Sequence, residues 1–196
     1  EVYPSGKLKV KKLMMNRKPH GVVEAYYPNG QLMSQKPYLY GLTNGTGKNW
    51  DYNGKLQNET TYLMGEINGI QKGYVDGKLW YTNPIENGKS QGIFSDYHSN
   101  GKTYNQFMFV DDIKHGNADF YSPDSSFMYR LVYYDDILKA YTYKNAAGDL
   151  LPEKPVTTET SEILCYYPNG KISARIPMKN GLYNGKNTTY YPDGSV

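Results

Sequence analysis

The chain has 196 residues, a net charge of +3 and a single cysteine, and hydrophobic residues make up only 38% of it. This composition excludes an internal disulfide and a multi-cysteine metal site, and it argues against one large globule built around Leu, Ile and Val. The 22 Tyr and 20 Gly instead favour many small aromatic contacts spread along the chain. No apolar run is long enough to cross a bilayer.

Turn signals recur along the whole chain at a nearly constant interval. Consecutive turn glycines are 24, 24, 23, 24, 47, 22 and 24 residues apart. The interval of 47 spans two periods, and Asp124-Ser125 stands where the missing turn should be, so nine turns share one register. The other eight signals are Ser5-Gly6, Asn29-Gly30, Asn53-Gly54, Asp76-Gly77, Asn100-Gly101, Ala147-Gly148, Asn169-Gly170 and Asp193-Gly194.

Two columns of the repeat carry mostly apolar side chains. The residues two after each turn position are Leu8, Leu32, Leu56, Leu79, Thr103, Phe127, Leu150, Ile172 and Val196. The residues eight after it are Met14, Tyr38, Tyr62, Ile85, Phe109, Tyr133, Val156 and Met178. Because the two columns differ by an even number of residues, they share one face of an unbulged strand. We expect this face to form the core.

The turn chemistry predicts the fold class. Asn-Gly and Asp-Gly favour two-residue hairpin turns because both central residues tolerate positive φ. Further glycines, such as Gly41 and Gly45, bracket a second tight connection into the next hairpin. The sequence therefore predicts an all-β protein in which tandem β-hairpin repeats of 23 to 24 residues form an elongated, twisted antiparallel meander sheet of about sixteen strands.

The repeat is interrupted once, over residues 146–162. Pro152 and Pro155 each remove a donor from the sheet ladder, which confines them to an edge or an irregular stretch. We expect one continuous repeat domain with hairpin repeats over residues 1–145, a degenerate repeat acting as a soft joint over 146–162, and C-terminal repeats over 163–196.

Two segments resemble a known repeat. The segment GVVEAYYPNGQL begins at Gly21, and the segment ILCYYPNGKI begins at Ile163. Both are similar to the MORN repeat, in particular to its bacterial variant. The resemblance implies an elongated β-hairpin sheet with roles in protein interaction, scaffolding or membrane association, and no catalysis by the repeats. Some bacterial relatives are antitoxins of toxin–antitoxin pairs.

The residues that could carry chemistry fall on ordinary repeat positions. His20 and His115 stand at a loop position directly before a repeat glycine, and His98 is expected at a turn flank in the place of Pro28. Cys165 aligns with Ala25, which predicts a packed side chain. We therefore predict no catalytic residue, no metal site, no cofactor and no enzymatic activity.

Two aspartate pairs occupy matched positions in adjacent repeats. They lie in residues 111–162, which carry a net charge of −5. They predict either a solvated acidic edge, a weak cation site or a contact for a basic partner. Surplus tyrosines suit protein recognition because each offers a large area with a polar tip. The candidate partner contacts are Asp111, Asp112, Asp135, Asp136, Tyr134 and Tyr141.

The leading hypothesis is a non-catalytic protein-interaction or scaffold module, with an antitoxin or immunity role as a special case. The alternative is a membrane- or envelope-associated protein that binds anionic lipid through residues 1–20, which carry a net charge of +5. A carbohydrate hydrolase is disfavoured because no carboxylate pair stands outside the repeat pattern. We expect neither a nucleic acid nor a small-molecule substrate. Because the chain begins at Glu1, a removed leader stays open, and so do export and a cytoplasmic location.

Overall fold

The computed structural model describes all residues from Glu1 to Val196 and contains 21 strands and no helix. The chain divides into two compact units, which we call unit 1 (Glu1–Gln91) and unit 2 (Gly92–Val196). The strands of unit 1 are β1 (Val10–Lys11), β2 (Met14–Met15), β3 (Lys18–Pro19), β4 (Gly21–Tyr26), β5 (Leu32–Leu39), β6 (Leu42–Thr43), β7 (Gly45–Trp50), β8 (Leu56–Leu63), β9 (Glu66–Val75), β10 (Lys78–Glu86) and β11 (Lys89–Ser90). The strands of unit 2 are β12 (Gly92–Tyr97), β13 (Thr103–Val110), β14 (Ile113–Tyr121), β15 (Phe127–Tyr134), β16 (Ile137–Thr142), β17 (Lys154–Pro155), β18 (Glu162–Tyr166), β19 (Ile172–Lys179), β20 (Leu182–Tyr183) and β21 (Thr188–Thr189).

The strands pair in sequence order, which confirms the predicted all-β hairpin meander. In unit 1 the order of neighbours is β1, β4, β5, β7, β8, β9 and β10, with β6 on β5 and β11 on β10. In unit 2 the first sheet runs from β12 to β17 without a crossover. All of these pairs are antiparallel, and most hairpins contain a bulge beside the turn, as between Ala25 and Tyr26.

The turns at the predicted register differ from the expected type. At Asn29-Gly30, only Gly30 has a positive φ, of 94°. The backbone NH of Gly30 donates to the Tyr27 carbonyl at 2.8 Å, and the NH of Tyr27 donates to the Gln31 carbonyl at the same distance. This is a three-residue turn whose last residue is a left-handed glycine. The expectation that both Asn and Gly need positive φ is therefore wrong at this turn, although it holds at Asp76-Gly77.

The asparagine has another role, which is to tie one repeat to the next. The Asn29 side-chain amide donates to the Tyr52 carbonyl at 3.0 Å, and the Tyr27 hydroxyl donates to the Trp50 carbonyl at 2.9 Å. Each of these bonds spans 23 residues, so both join equivalent turns of successive repeats. We call these bonds staples. The others, given as donor and acceptor residues, are Tyr3–Tyr26, His98–Tyr121, Asn100–Pro123, Tyr167–Tyr190 and Asn169–Pro192.

His98 is one of the staple donors. Its Nε2 lies 2.9 Å from the Tyr121 carbonyl oxygen, and its ring packs edge-on against Tyr104 with 5.0 Å between centroids. The repeat register thus makes His98 equivalent to Tyr27, and the expectation that it takes the place of Pro28 is wrong. Because an imidazole and a phenol can both donate to a carbonyl, His98 preserves the bond that a tyrosine makes elsewhere.

Unit 2 contains a second sheet, in which β18 pairs with β19, and β20 and β21 also pair with β19. The Ser173 hydroxyl of β19 donates to the Met128 carbonyl of β15 at 3.1 Å. The hydroxyls of Tyr133 and Tyr183 also meet, at 2.5 Å. The last repeats therefore do not extend the first sheet, as a uniform ribbon would require. They lie across its face.

The apolar core of the protein lies between these two sheets of unit 2. The first sheet contributes residues such as Leu131, which is 2% exposed, and the second contributes Ile163 and Ile176, at 0% and 1%. Phe120 and Tyr129 stack with their ring centroids 4.5 Å apart. The full core is Ala118, Phe120, Met128, Tyr129, Leu131, Tyr133, Leu138, Ile163, Cys165, Tyr167, Ala174, Ile176 and Met178.

Unit 1 is a single-layer sheet, and its only buried residues are Gly47, Thr60 and Gly73. The apolar columns expected to form a core, including Leu56 and Tyr62, are only half-buried there. That expectation is wrong for unit 1 because one layer gives its apolar face nothing to pack against. A side chain added at Gly73 would clash with the ring of Tyr81, so this tyrosine ring covers the glycine backbone directly.

Loss of one staple should weaken the fold measurably. Tyr27→Phe removes only the hydroxyl that donates to the Trp50 carbonyl, and we expect it to lower the free energy of unfolding by about 1 kcal/mol. Denaturant titration of the full chain measures this change. Tyr52→Phe is the matched control because Tyr52 is 55% exposed and its hydroxyl has no partner. Equal losses in both variants would contradict the staple.

Residues 146–162 remain a predicted soft joint. Here β17 is the edge strand of the first sheet, with Pro155 opposite Ala140, and the chain then passes through a turn at 157–160 into β18. Because this segment has little sheet pairing and no buried residue, we expect limited proteolysis to make its first interior cut there. If residues 146–162 resist the protease as well as residues 50–62 do, the predicted soft joint is wrong.

Candidate interaction surfaces

The hairpins of each unit have a second row of turns, at the ends opposite the staples. Each turn has two central residues that both adopt positive φ, such as Tyr40 at 49° and Gly41 at 92°. The NH of Gly41 donates to the Pro19 carbonyl at 2.8 Å, and the NH of Gly65 donates to the Thr43 carbonyl at 2.8 Å. Turns of successive repeats are therefore in direct contact. We call such a row of turns a rim.

The four candidate aspartates form two rim turns of unit 2. Asp111 and Asp112 join β13 to β14, and Asp135 and Asp136 join β15 to β16, all with φ between 50° and 71°. Aspartate is one of the few residues other than glycine that tolerates this region. The Asp136 carboxylate accepts from the NH of Lys114 at 2.9 Å, so the structure brings the two turns together. All four residues are exposed, and we call them the acidic rim.

Exposed apolar side chains flank the acidic rim. Ile113, Tyr134 and Ile137 are 40%, 56% and 53% exposed. The Tyr134 ring lies 4.7 Å from the His115 ring, and His115 Nδ1 lies 3.3 Å from an Asp135 carboxylate oxygen. Apolar groups and carboxylates thus share one surface, a composition that suits a basic protein partner.

Tyr141 does not belong to this surface. It lies near the far end of β16, packs against the core, and has the Lys154 ammonium 5.8 Å from its ring centroid. The aspartates also do not gather into a metal site, since no group of three or more His, Cys, Asp or Glu side chains is arranged to hold an ion. Cys165 is fully buried, and this burial raises the pKa of its thiol to about 12. Its thiol therefore stays protonated at neutral pH.

The rim of unit 1 is apolar where that of unit 2 is acidic. Three successive turns expose side chains that are between 44% and 71% accessible. We call this set the apolar rim: Leu13, Met14, Met15, Tyr40, Leu42, Leu63 and Met64. An added side chain at Gly41 would meet Lys18 at 3.2 Å, and one at Gly65 would meet Leu42 at 3.5 Å, so neighbouring turns touch. A contiguous apolar surface of this kind marks an interaction site.

Basic side chains accompany the apolar rim. Arg17 is the second residue of the first rim turn, with a φ of 63°, and Lys18 follows it; both are exposed. Lys12 is close by and forms an ion pair with Glu1 at 2.7 Å. The sequence predicted this positive charge but not the apolar rim, because only Met14 of the rim residues fell in a core column and the other six had no predicted role.

Comparison with known proteins identifies the repeat. Three segments, residues 19–40, 43–63 and 161–180, match the MORN repeat variant. Each match spans most of one hairpin, and those beginning at 19 and 161 have a stapled turn near their centre. The fold thus defines a tandem β-hairpin repeat protein, and three of its hairpins match the MORN repeat variant. MORN repeats are non-catalytic modules that generally mediate protein or membrane interactions. No curated protein matches the chain, and no helix of the structure could span a membrane.

Proposed function

We propose that the chain is a non-catalytic interaction module that binds a basic protein partner through the acidic rim. The observation that supports this is the direct contact of two aspartate turns beside Ile113, Tyr134 and Ile137, all of which are exposed. The exposed carboxylates attract a basic surface and disfavour an acidic one. The apolar side chains stabilise the complex because their surface is removed from water on contact.

The resemblance to bacterial MORN proteins suggests one kind of partner. If the chain acts as an antitoxin or an immunity protein, its partner is a toxin with a basic face that meets the acidic rim. Sequestration then depends on a lasting complex and needs no chemistry from this chain. A toxin gene beside the gene for this chain supports this special case, and its absence leaves the more general scaffold role.

Removal of the acidic rim charge should weaken binding of the partner. Asn tolerates positive φ as Asp does, so replacing Asp111, Asp112, Asp135 and Asp136 by Asn should leave the turns intact. Affinity capture from native extract, followed by titration of the purified captured protein, measures the effect. We expect binding at low salt to weaken by about tenfold or more, and the difference to shrink as salt rises.

The control for this experiment keeps the rim and removes charge elsewhere. Asp149→Asn, Glu153→Gln and Glu159→Gln neutralise three exposed carboxylates away from the rim turns. This triple variant should bind the partner as the unaltered chain does. If the quadruple Asn variant also binds it equally well at low salt, the acidic rim has only a solvating role.

The apolar rim of unit 1 supports a second function, the binding of an anionic membrane surface. Leu13 and Met14 are 71% and 51% exposed beside Arg17 and Lys18. Apolar side chains inserted at the headgroup level, combined with basic residues beside them, are what a peripheral membrane contact needs. The acidic rim of unit 2 has the opposite charge and does not suit such a surface.

Charge reversal at the apolar rim tests the lipid function. Vesicles of phosphatidylcholine with phosphatidylserine should sediment the unaltered chain, and vesicles of phosphatidylcholine alone should not. The double variant Arg17→Glu, Lys18→Glu should bind the anionic vesicles more weakly, by about 1 kcal/mol or more per reversed charge. Lys139→Glu with Lys179→Glu is the matched control, since both of these lysines are exposed in unit 2. Equal sedimentation of the two double variants would rule out a membrane contact at this rim.

A further inference from the structure

Unit 2 contains a cavity between its two sheets that no role described so far uses. The cavity has a volume of about 260 Å³ and lies where β13 to β15 meet the segment that carries β21. Tyr104, Tyr121 and Met128 line it from the first sheet, and Lys186 and Thr189 line it from the segment that carries β21. Cavities for drug-sized ligands are about 300 to 1,000 Å³, so this one suits a ligand with a single ring.

The walls of the cavity are aromatic and held in place. Tyr104 makes edge contacts with the rings of His98 and Phe120, at 5.0 and 6.2 Å between centroids. His98 is itself fixed by its staple to the Tyr121 carbonyl. Burial raises the pKa of both Tyr104 and Tyr121, so their phenols stay neutral and can donate hydrogen bonds. The cavity therefore offers rigid ring faces with polar tips.

Several donors of the cavity have no partner within the protein. The hydroxyls of Tyr104, Tyr121 and Thr189 and the Lys186 ammonium accept or donate no hydrogen bond to another residue, and Lys186 forms no ion pair. Lys186 is the only charged side chain in the lining, which contains no Asp or Glu. The cavity thus offers one ammonium group and several hydroxyls to a ligand, with no carboxylate side chain in the lining, and this favours a negatively charged ligand rich in oxygen atoms.

We propose that this cavity binds a single sugar residue that carries a carboxylate, such as a hexuronate. The apolar face of the sugar ring packs on a tyrosine, its hydroxyls meet the unpartnered donors around the ring edge, and its carboxylate meets Lys186. A planar aromatic acid would also reach Lys186, but it has no hydroxyls to exchange hydrogen bonds with Tyr104 and Thr189, whereas a sugar does. The sugar is bound and not converted, so this inference adds a ligand where the sequence led us to expect no small-molecule substrate.

The test is a titration of the isotope-labelled full chain with glucuronate, glucose and benzoate, followed by NMR. We expect glucuronate to bind at millimolar concentration and to shift resonances of residues that line the cavity. Glucose lacks the carboxylate and should bind more weakly than glucuronate, by at least about fivefold. Absence of shifts with glucuronate at tens of millimolar, or binding of benzoate as tight as that of glucuronate, overturns the proposal.

Two variants locate the site. Lys186→Gln should weaken glucuronate binding about fivefold or more and leave glucose binding unchanged, because only the carboxylate loses its partner. Lys179→Gln removes an exposed lysine outside the cavity and should bind glucuronate as the unaltered chain does. Both changes are on the surface and should not affect folding. If Lys186→Gln and Lys179→Gln bind glucuronate equally, the carboxylate is not held at Lys186 and the proposed site is wrong.

Discussion

The staples between successive turns carry the organisation of this repeat protein. A hairpin alone is marginal in water. At four of the eight junctions between successive turns, a side-chain donor reaches a backbone carbonyl 23 residues on, as Tyr27 does to Trp50. A carbonyl at the end of a strand has no ladder partner, so the staple satisfies it while fixing the spacing of the repeat. The same bond is made by Tyr3, Tyr167 and, with an imidazole, His98.

The two units are stabilised in different ways. Unit 1 has no buried apolar side chain, so ladder bonds, staples and half-buried rings such as Tyr62 and Tyr81 hold it together. Unit 2 adds a second sheet and buries a true core that includes Leu131 and Ile176. The rims of both units stay exposed at the ends of these sheets, which leaves their acidic and apolar surfaces available for partners.

The repeat period, the positions of the nine register turns and the all-β class could be read from the sequence, because turn glycines recur in one register. The second layer also left a signal in the sequence. Six residues after the turn glycine, the early repeats carry polar residues such as Lys36 and Thr60, whereas later repeats carry Leu131 and Ile176. This column shares a face with the residue eight after the turn. Its change from polar to apolar indicates where the face becomes covered, although a column alone cannot show which later segment covers it.

Hydrogen exchange on the full chain and on Ile176→Ala tests this division of stability most directly. We predict that amides of β15 and β19 exchange slowest of all in the unaltered chain, because both strands flank the core. Ile176→Ala leaves a cavity in the core and should lower the free energy of unfolding by about 2 to 4 kcal/mol. In this variant, exchange should accelerate in β15 and β19 together and stay unchanged in β8. Acceleration in β19 alone would contradict the account, since it would mean that the second sheet does not stabilise the first.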